Sequence, residues 1–162
     1  MTKHIFYLLV FLVSGHCLFA QINFVNQADI LGVGIDTGNS YLGNGISFCD
    51  YNNDGWDDIT LGTEEGQSIK FYKNVNGSFI EDIIDLPVNT AEQKQIIWVD
   101  YNNDGQKDLF VASNSNSSKL YKNVGGMIFQ DVTAAAGLPN TNIDTYGASW
   151  GDYNNDSYLD VF

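Results

Sequence analysis

Arginine is absent from the sequence, and seven lysines stand against 20 acidic residues, a formal charge of −13. Phosphate backbones and anionic lipid surfaces are recognised through clustered Lys and Arg, so nucleic-acid and membrane-surface partners are disfavoured. Histidine and cysteine are nearly as scarce. His4, His16 and Cys17 all fall within the first twenty residues, which leaves Cys49 as the one thiol beyond them. A lone thiol cannot close an internal disulfide, and Cys49 is expected to be a buried strand residue. Imidazole chemistry is also unavailable outside the leader. No sustained 3.6-residue periodicity follows residue 20, which argues against amphipathic helices. The only long apolar run, IFYLLVFLV, lies behind Lys3 and is short for a membrane span. With SGHCLFA after it, the run reads as a secretory signal helix over residues 1–20, cleaved after Ala20. No membrane span is expected in the mature chain, which is placed outside the cell or on its surface.

The acids that are present are concentrated. Ten of the 20 lie in three short stretches, DYNNDGWDD (50–58), DYNNDGQKD (100–108) and DYNNDSYLD (152–160). Each places side-chain oxygens at positions one, three, five and nine. In loop one these are Asp50, Asn52, Asp54 and Asp58; in loop two, Asp100, Asn102, Asp104 and Asp108; in loop three, Asp152, Asn154, Asp156 and Asp160. Carboxylates and amides alternating around a glycine can turn several oxygens toward one centre, which suits a hard cation with six to eight oxygen ligands, usually Ca2+. The seventh residues, Trp56, Gln106 and Tyr158, share no side-chain chemistry, which fits use of the main-chain carbonyl alone. Loop three has Ser157 where the others have Gly55 and Gly105, and is expected to be a weaker site. An EF-hand would need a Glu at position twelve, where Leu61 and Val111 stand.

The loops start at 50, 100 and 152, and the likeness extends past them: IKFYKNV (69–75) matches SKLYKNV (118–124). A period near fifty marks a repeat architecture. Within one period four short strands are expected. In the first repeat they are ISFC, ITLGT, IKFYKN and SFIEDI; in the second, 95–99, 109–113, 119–123 and 127–132. Phe48, Trp98 and Trp150, two residues before each loop, are expected to pack in the core. INFVNQADILGVG reads as the last strand and crossover of a preceding unit. The fold expected over residues 21–162 is therefore all-β: four-stranded antiparallel propeller blades, two whole and flanked by part-blades. Closure of a propeller takes about four to eight blades, so the chain is expected to be a portion of a longer protein.

The pattern D-x-N-x-D-G-x-x-D at this period resembles the FG-GAP/VCBS repeat family, which includes the calcium-binding blades of integrin α-subunits. KLYKNVGGMIFQDVTAAAGLP is similar to the secreted bacterial branch with cartilage-acidic-protein-like and UnbV-type members. The resemblance implies one Ca2+ per loop, up to three. Its ligands would be the four side chains of each loop and the carbonyls of Trp56, Gln106 and Tyr158. It further implies a non-catalytic module for extracellular protein or glycan interaction, as in cell adhesion. The alternative is an accessory segment of a larger carbohydrate-active enzyme whose catalytic domain lies outside this sequence. With the Asp pairs of the loops committed as ligands, Glu64, Glu65 and Glu81 would remain for carboxylate chemistry, and they read as solvated surface.

Overall fold

A computed structural model describes residues 23–87, 89–114, 116–141 and 143–162. The expected signal segment lies outside them. Blade one is a four-stranded antiparallel meander of β1 (Ile46–Cys49), β2 (Asp58–Leu61), β3 (Lys70–Val75) and β4 (Ser78–Asp82). Blade two repeats it with β5 (Glu92–Val99), β6 (Asp108–Asn114), β7 (Lys119–Asn123) and β8 (Phe129–Asp131). A third unit begins as the hairpin of β9 (Trp150–Gly151) and β10 (Asp160–Val161). In each unit an acidic loop joins the first strand to the second. The chain is all-β in these blades, and no helix among the described residues is long and apolar enough to cross a membrane.

Alternation along the strands sends side chains to two faces, and the units stack by burying them. Register aligns Trp98, Leu109 and Tyr121 on one face of blade two, with Phe110 and Leu120 on the other. The first face packs with Tyr51, Ile69 and Phe71 of blade one in a single core cluster. The second packs with Ala148, Trp150 and Leu159 of the third unit. Trp98 is the joint. It stacks on Tyr51 at 5.1 Å between ring centroids, meets Phe71 edge-on, and donates from Nε1 to the buried Thr60 Oγ1 at 3.0 Å. Trp150 meets Phe110 in the same way at 5.4 Å. Toward the other end of these strands the backbones themselves touch, the Gly45 amide donating to the Gln93 carbonyl at 3.0 Å. A Cβ on Gly45 would lie 2.8 Å from the Gln95 Cα, so only glycine allows that approach.

Two expectations fail here. Phe48 occupies the place of Trp98 and Trp150 but is 62% exposed, because no described sheet covers that face of blade one. Residues 23–27 form no strand; Ala28–Leu31 make one helical turn that Gly32 ends. Smaller differences occur in blade two. β5 starts at Glu92 rather than Gln95, extended through a bulge between Gln93 and Gln95. There the Lys94 ammonium pairs with Glu92 at 2.8 Å and donates to the Tyr41 and Gly43 carbonyls. β8 starts at Phe129 because Met127 has φ 60° and belongs to the turn. Cys49 is a strand thiol as expected, but half-buried rather than sealed.

Trp98 yields a graded test by urea unfolding. Trp98→Ala is expected to cost about 3 kcal/mol, as for other large-to-small core changes. Trp98→Phe keeps the ring but loses the bond to Thr60, at a cost of about 1 kcal/mol. Equal midpoints for Trp98→Ala and the unsubstituted chain would show that the blades are not joined through this ring.

Candidate metal-binding loops

The three loops are folded by their own side chains. The Asp at position one accepts two backbone amides: Asp50 takes those of Asp54 and Gly55 at 3.0 and 2.9 Å. Asp100 takes Asp104 and Gly105 at the same distances. Asp152 takes Asp156 and Ser157 at 3.1 and 2.8 Å. The Asn at position three accepts the position-five amide as well, and position five accepts the amide of position seven. Short Asp and Asn side chains favour this local capping of turn amides. The chain can turn so tightly because two residues in each loop have positive φ. Position four is Asn53, Asn103 or Asn155, at 59° to 61°; position six is Gly55 at 90°, Gly105 at 84° and Ser157 at 71°.

Position nine differs. Asp58 and Asp108 are fully buried where the loop enters the second strand, whereas Asp160 is half-buried. Asp58 Oδ1 accepts the Asn74 amide at 2.8 Å, and Asp108 Oδ1 accepts the Asn123 amide at the same distance. The second oxygen of Asp108 takes the Tyr101 amide at 3.3 Å, and that of Asp160 the Tyr153 amide at 3.0 Å. Asp58 Oδ2 is buried and makes no hydrogen bond of good geometry, although the Tyr51 amide lies near enough to pull the carboxyl down. Withdrawal from water pushes the Asp108 carboxyl up to about 6, against the pull of the two amides. Burial raises Asp58 likewise. Position five behaves oppositely. The Gln106 amide and Asn102 hold Asp104 below its usual range, helped by the Lys122 ammonium at 3.2 Å. Asp54 is slightly desolvated, yet the Trp56 amide and Lys73, at 3.3 Å, hold it low.

Hydrogen bonding thus gathers positions one, three, five and seven of each loop into one turn, with position nine at its base. The side chains of Trp56, Gln106 and Tyr158 point away as exposed groups. Among the described residues no three Asp, Glu, His or Cys side chains form a ready-made metal cluster. The three carboxylates of each loop, at positions one, five and nine, do not converge as they stand, because each is turned to cap amides at its own place in the turn. Carboxylate oxygens carry spare lone pairs beyond the amides they accept. A buried carboxylate with an orphaned oxygen, as at Asp58, is costly unless a cation or proton joins it. An all-oxygen set of this kind fits a hard divalent ion.

Sequence reasoning passed over three groups that complete the loops. The amides of Tyr101 and Tyr153 hold position nine, those of Asn74 and Asn123 close it from the third strand, and Lys73 and Lys122 pair with position five. The signal was the Y-K-N-V run shared by both repeats, which reads as strand pattern alone until the hairpins are paired. Of the remaining acids, Glu81 pairs with Lys70 at 3.3 Å and Glu64 accepts the Asn39 amide at 2.7 Å, while Glu65 is exposed.

The profile of the FG-GAP-like repeat matches residues 50–111 and again 100–162, each match starting on the first Asp of a loop. The chain belongs to the FG-GAP-like repeat family. FG-GAP repeats are typically extracellular, and domains built from them are generally non-catalytic. No curated protein matches the chain.

The buried carboxylates of this FG-GAP-like chain yield a pH test. The Asp108 carboxyl sits at about 6 when folded against an ordinary 3.8. A raised folded value means that the stability contribution is whole below the ordinary range and lost as pH rises through about 6. In chelator the urea midpoint is therefore expected to fall between roughly pH 4 and pH 7. Asp108→Asn should flatten that fall, and carbon NMR should place the Asp108 midpoint near 6. The lowered carboxyls of Asp54 and Asp104 act at lower pH, whereas the raised Asp58 adds to the fall and persists in Asp108→Asn. An Asp108 midpoint at the ordinary value would contradict the burial argument.

Proposed function

We propose that this FG-GAP-like chain is a secreted or cell-surface calcium-binding module, in which the ion is structural and the blade surfaces meet an extracellular protein or glycan. The observation that carries the reading is position nine. In two blades the same acidic loop ends on a carboxylate sealed from water, Asp58 and Asp108, at the root of the hairpin. Ca2+ would be held in loop one by Asp50, Asn52, Asp54, Asp58 and the Trp56 carbonyl. In loop two the holders are Asp100, Asn102, Asp104, Asp108 and the Gln106 carbonyl. In loop three they are Asp152, Asn154, Asp156, Asp160 and the Tyr158 carbonyl. When bound, the ion supplies positive charge to carboxylates that otherwise repel one another and resist burial.

The chain's own groups do the rest. Backbone amides preshape each turn, and Lys73 and Lys122 balance the position-five carboxylates from outside. With three carboxylates per loop, affinity should lie at the weak end, on the order of 10⁻⁵ to 10⁻³ M, adequate for extracellular calcium. Rigid hairpins then present the exposed side chains of Trp56, Gln106 and Tyr158 along one edge of the blades, a polar and aromatic set suited to a protein or sugar surface.

Thermal melting with and without chelator tests the structural role. Removing divalent ions is expected to lower the melting temperature by several degrees, with recovery in millimolar calcium. Calorimetric titration should count up to three ions, the last the weakest. An unchanged melt together with a flat titration would overturn the proposal.

A further inference from the structure

We propose that Asn103 of loop two is a positioning residue for loop three, holding from outside a turn that lacks its glycine. The inference rests on the calcium reading for its consequence, but not for its geometry. Ser157 stands at position six with φ 71°, where loops one and two use Gly55 and Gly105. An L side chain is strained in that region, and glycine is not. The Asn103 side-chain amide crosses between the loops and donates from Nδ2 to the Ser157 carbonyl oxygen at 2.6 Å. It therefore grips the very peptide that the missing glycine would have let relax.

The Ser157 carbonyl belongs to the peptide whose amide, on Tyr158, caps Asp156 at 2.8 Å. Fixing that peptide orients the next carbonyl, that of Tyr158, which is the expected seventh-position ligand. The equivalent residue one blade earlier supplies the contrast. Among the described residues the Asn53 side chain makes no hydrogen bond, and the loop it would reach has Gly105 at position six.

The consequence is that loop three leans on loop two: without Asn103 its turn is held less firmly and its site is weaker. Three variants of the full chain test this. Asn103→Gly keeps the positive φ and removes the latch. Asn53→Gly makes the same backbone change where there is no latch. Asn103→Gly combined with Ser157→Gly restores the glycine. Amide hydrogen exchange in calcium-free protein is expected to speed up about fivefold at Ser157 and Tyr158 in Asn103→Gly, the equivalent of one ordinary hydrogen bond. Loop one should be unchanged, and Asn53→Gly should leave loop three alone. Adding Ser157→Gly should return loop-three exchange close to the starting value. In calcium titrations the weakest site alone should loosen, by a similar factor, and recover in the double variant.

Equal acceleration by Asn53→Gly, or no rescue by Ser157→Gly, would overturn the assignment by making the effect a general one of glycine in the turn. Absence of calcium heat in every variant would refute the metal reading, and the exchange rates would still decide the role of Asn103.

Discussion

A carboxylate sealed from water at the root of each complete blade's hairpin is the constraint on which the structure turns. Asp58 and Asp108 enter the second strand fully buried, each bonded to the third-strand amide of its own sheet. Every other feature of the loops can be read from that placement. An anion held there needs amides, a cation or a proton, and the first need is met by the third-strand amides of Asn74 and Asn123, joined at Asp108 by the Tyr101 amide. The second is met in part from outside, by Lys73 and Lys122 at position five rather than position nine. The raised carboxyl of Asp108 is the residue of the need that remains.

The same residues tie the loop chemistry to the core. Tyr51, at position two of loop one, is buried beneath Trp98 of the next blade. Phe71 comes from the third strand, one residue after Lys70 and two before Lys73. Sheet pairing, inter-blade packing and loop shape therefore share a handful of side chains per unit. Distorting a loop would move the ring on which the following blade rests. An ion held in the loops, as proposed, would therefore bear on the stability of the whole stack.

Much of this was legible in the sequence because the loop carries its own instructions. Alternating Asp and Asn around a glycine forces a tight turn, and the strands on either side follow from β-branched and aromatic runs. β1 and β7 fall where the residues ISFC and KLYKN indicated. What stayed hidden depends on contacts between units. Phe48 looks like Trp98 and Trp150, yet its burial requires a neighbouring sheet that no local pattern encodes. The extension of β5 to Glu92 was missed because Glu92 and Gln93 are polar, and they are buried by pairing with β6 and with the loop at Thr63. The Asn103 contact with Ser157 joins residues 54 apart through side-chain and backbone atoms, and a repeat alignment shows both residues without showing that they meet.

The account's central claim is that a divalent cation, and not amide capping alone, completes the acidic loops. A crystal structure of the chain grown in millimolar calcium tests it most directly, through anomalous density and ligand distances. The account predicts an ion in loops one and two, bonded to Asp50, Asp54 and Asp58 and to Asp100, Asp104 and Asp108. Ordered loops of the same conformation with only water or nothing between those oxygens would contradict it.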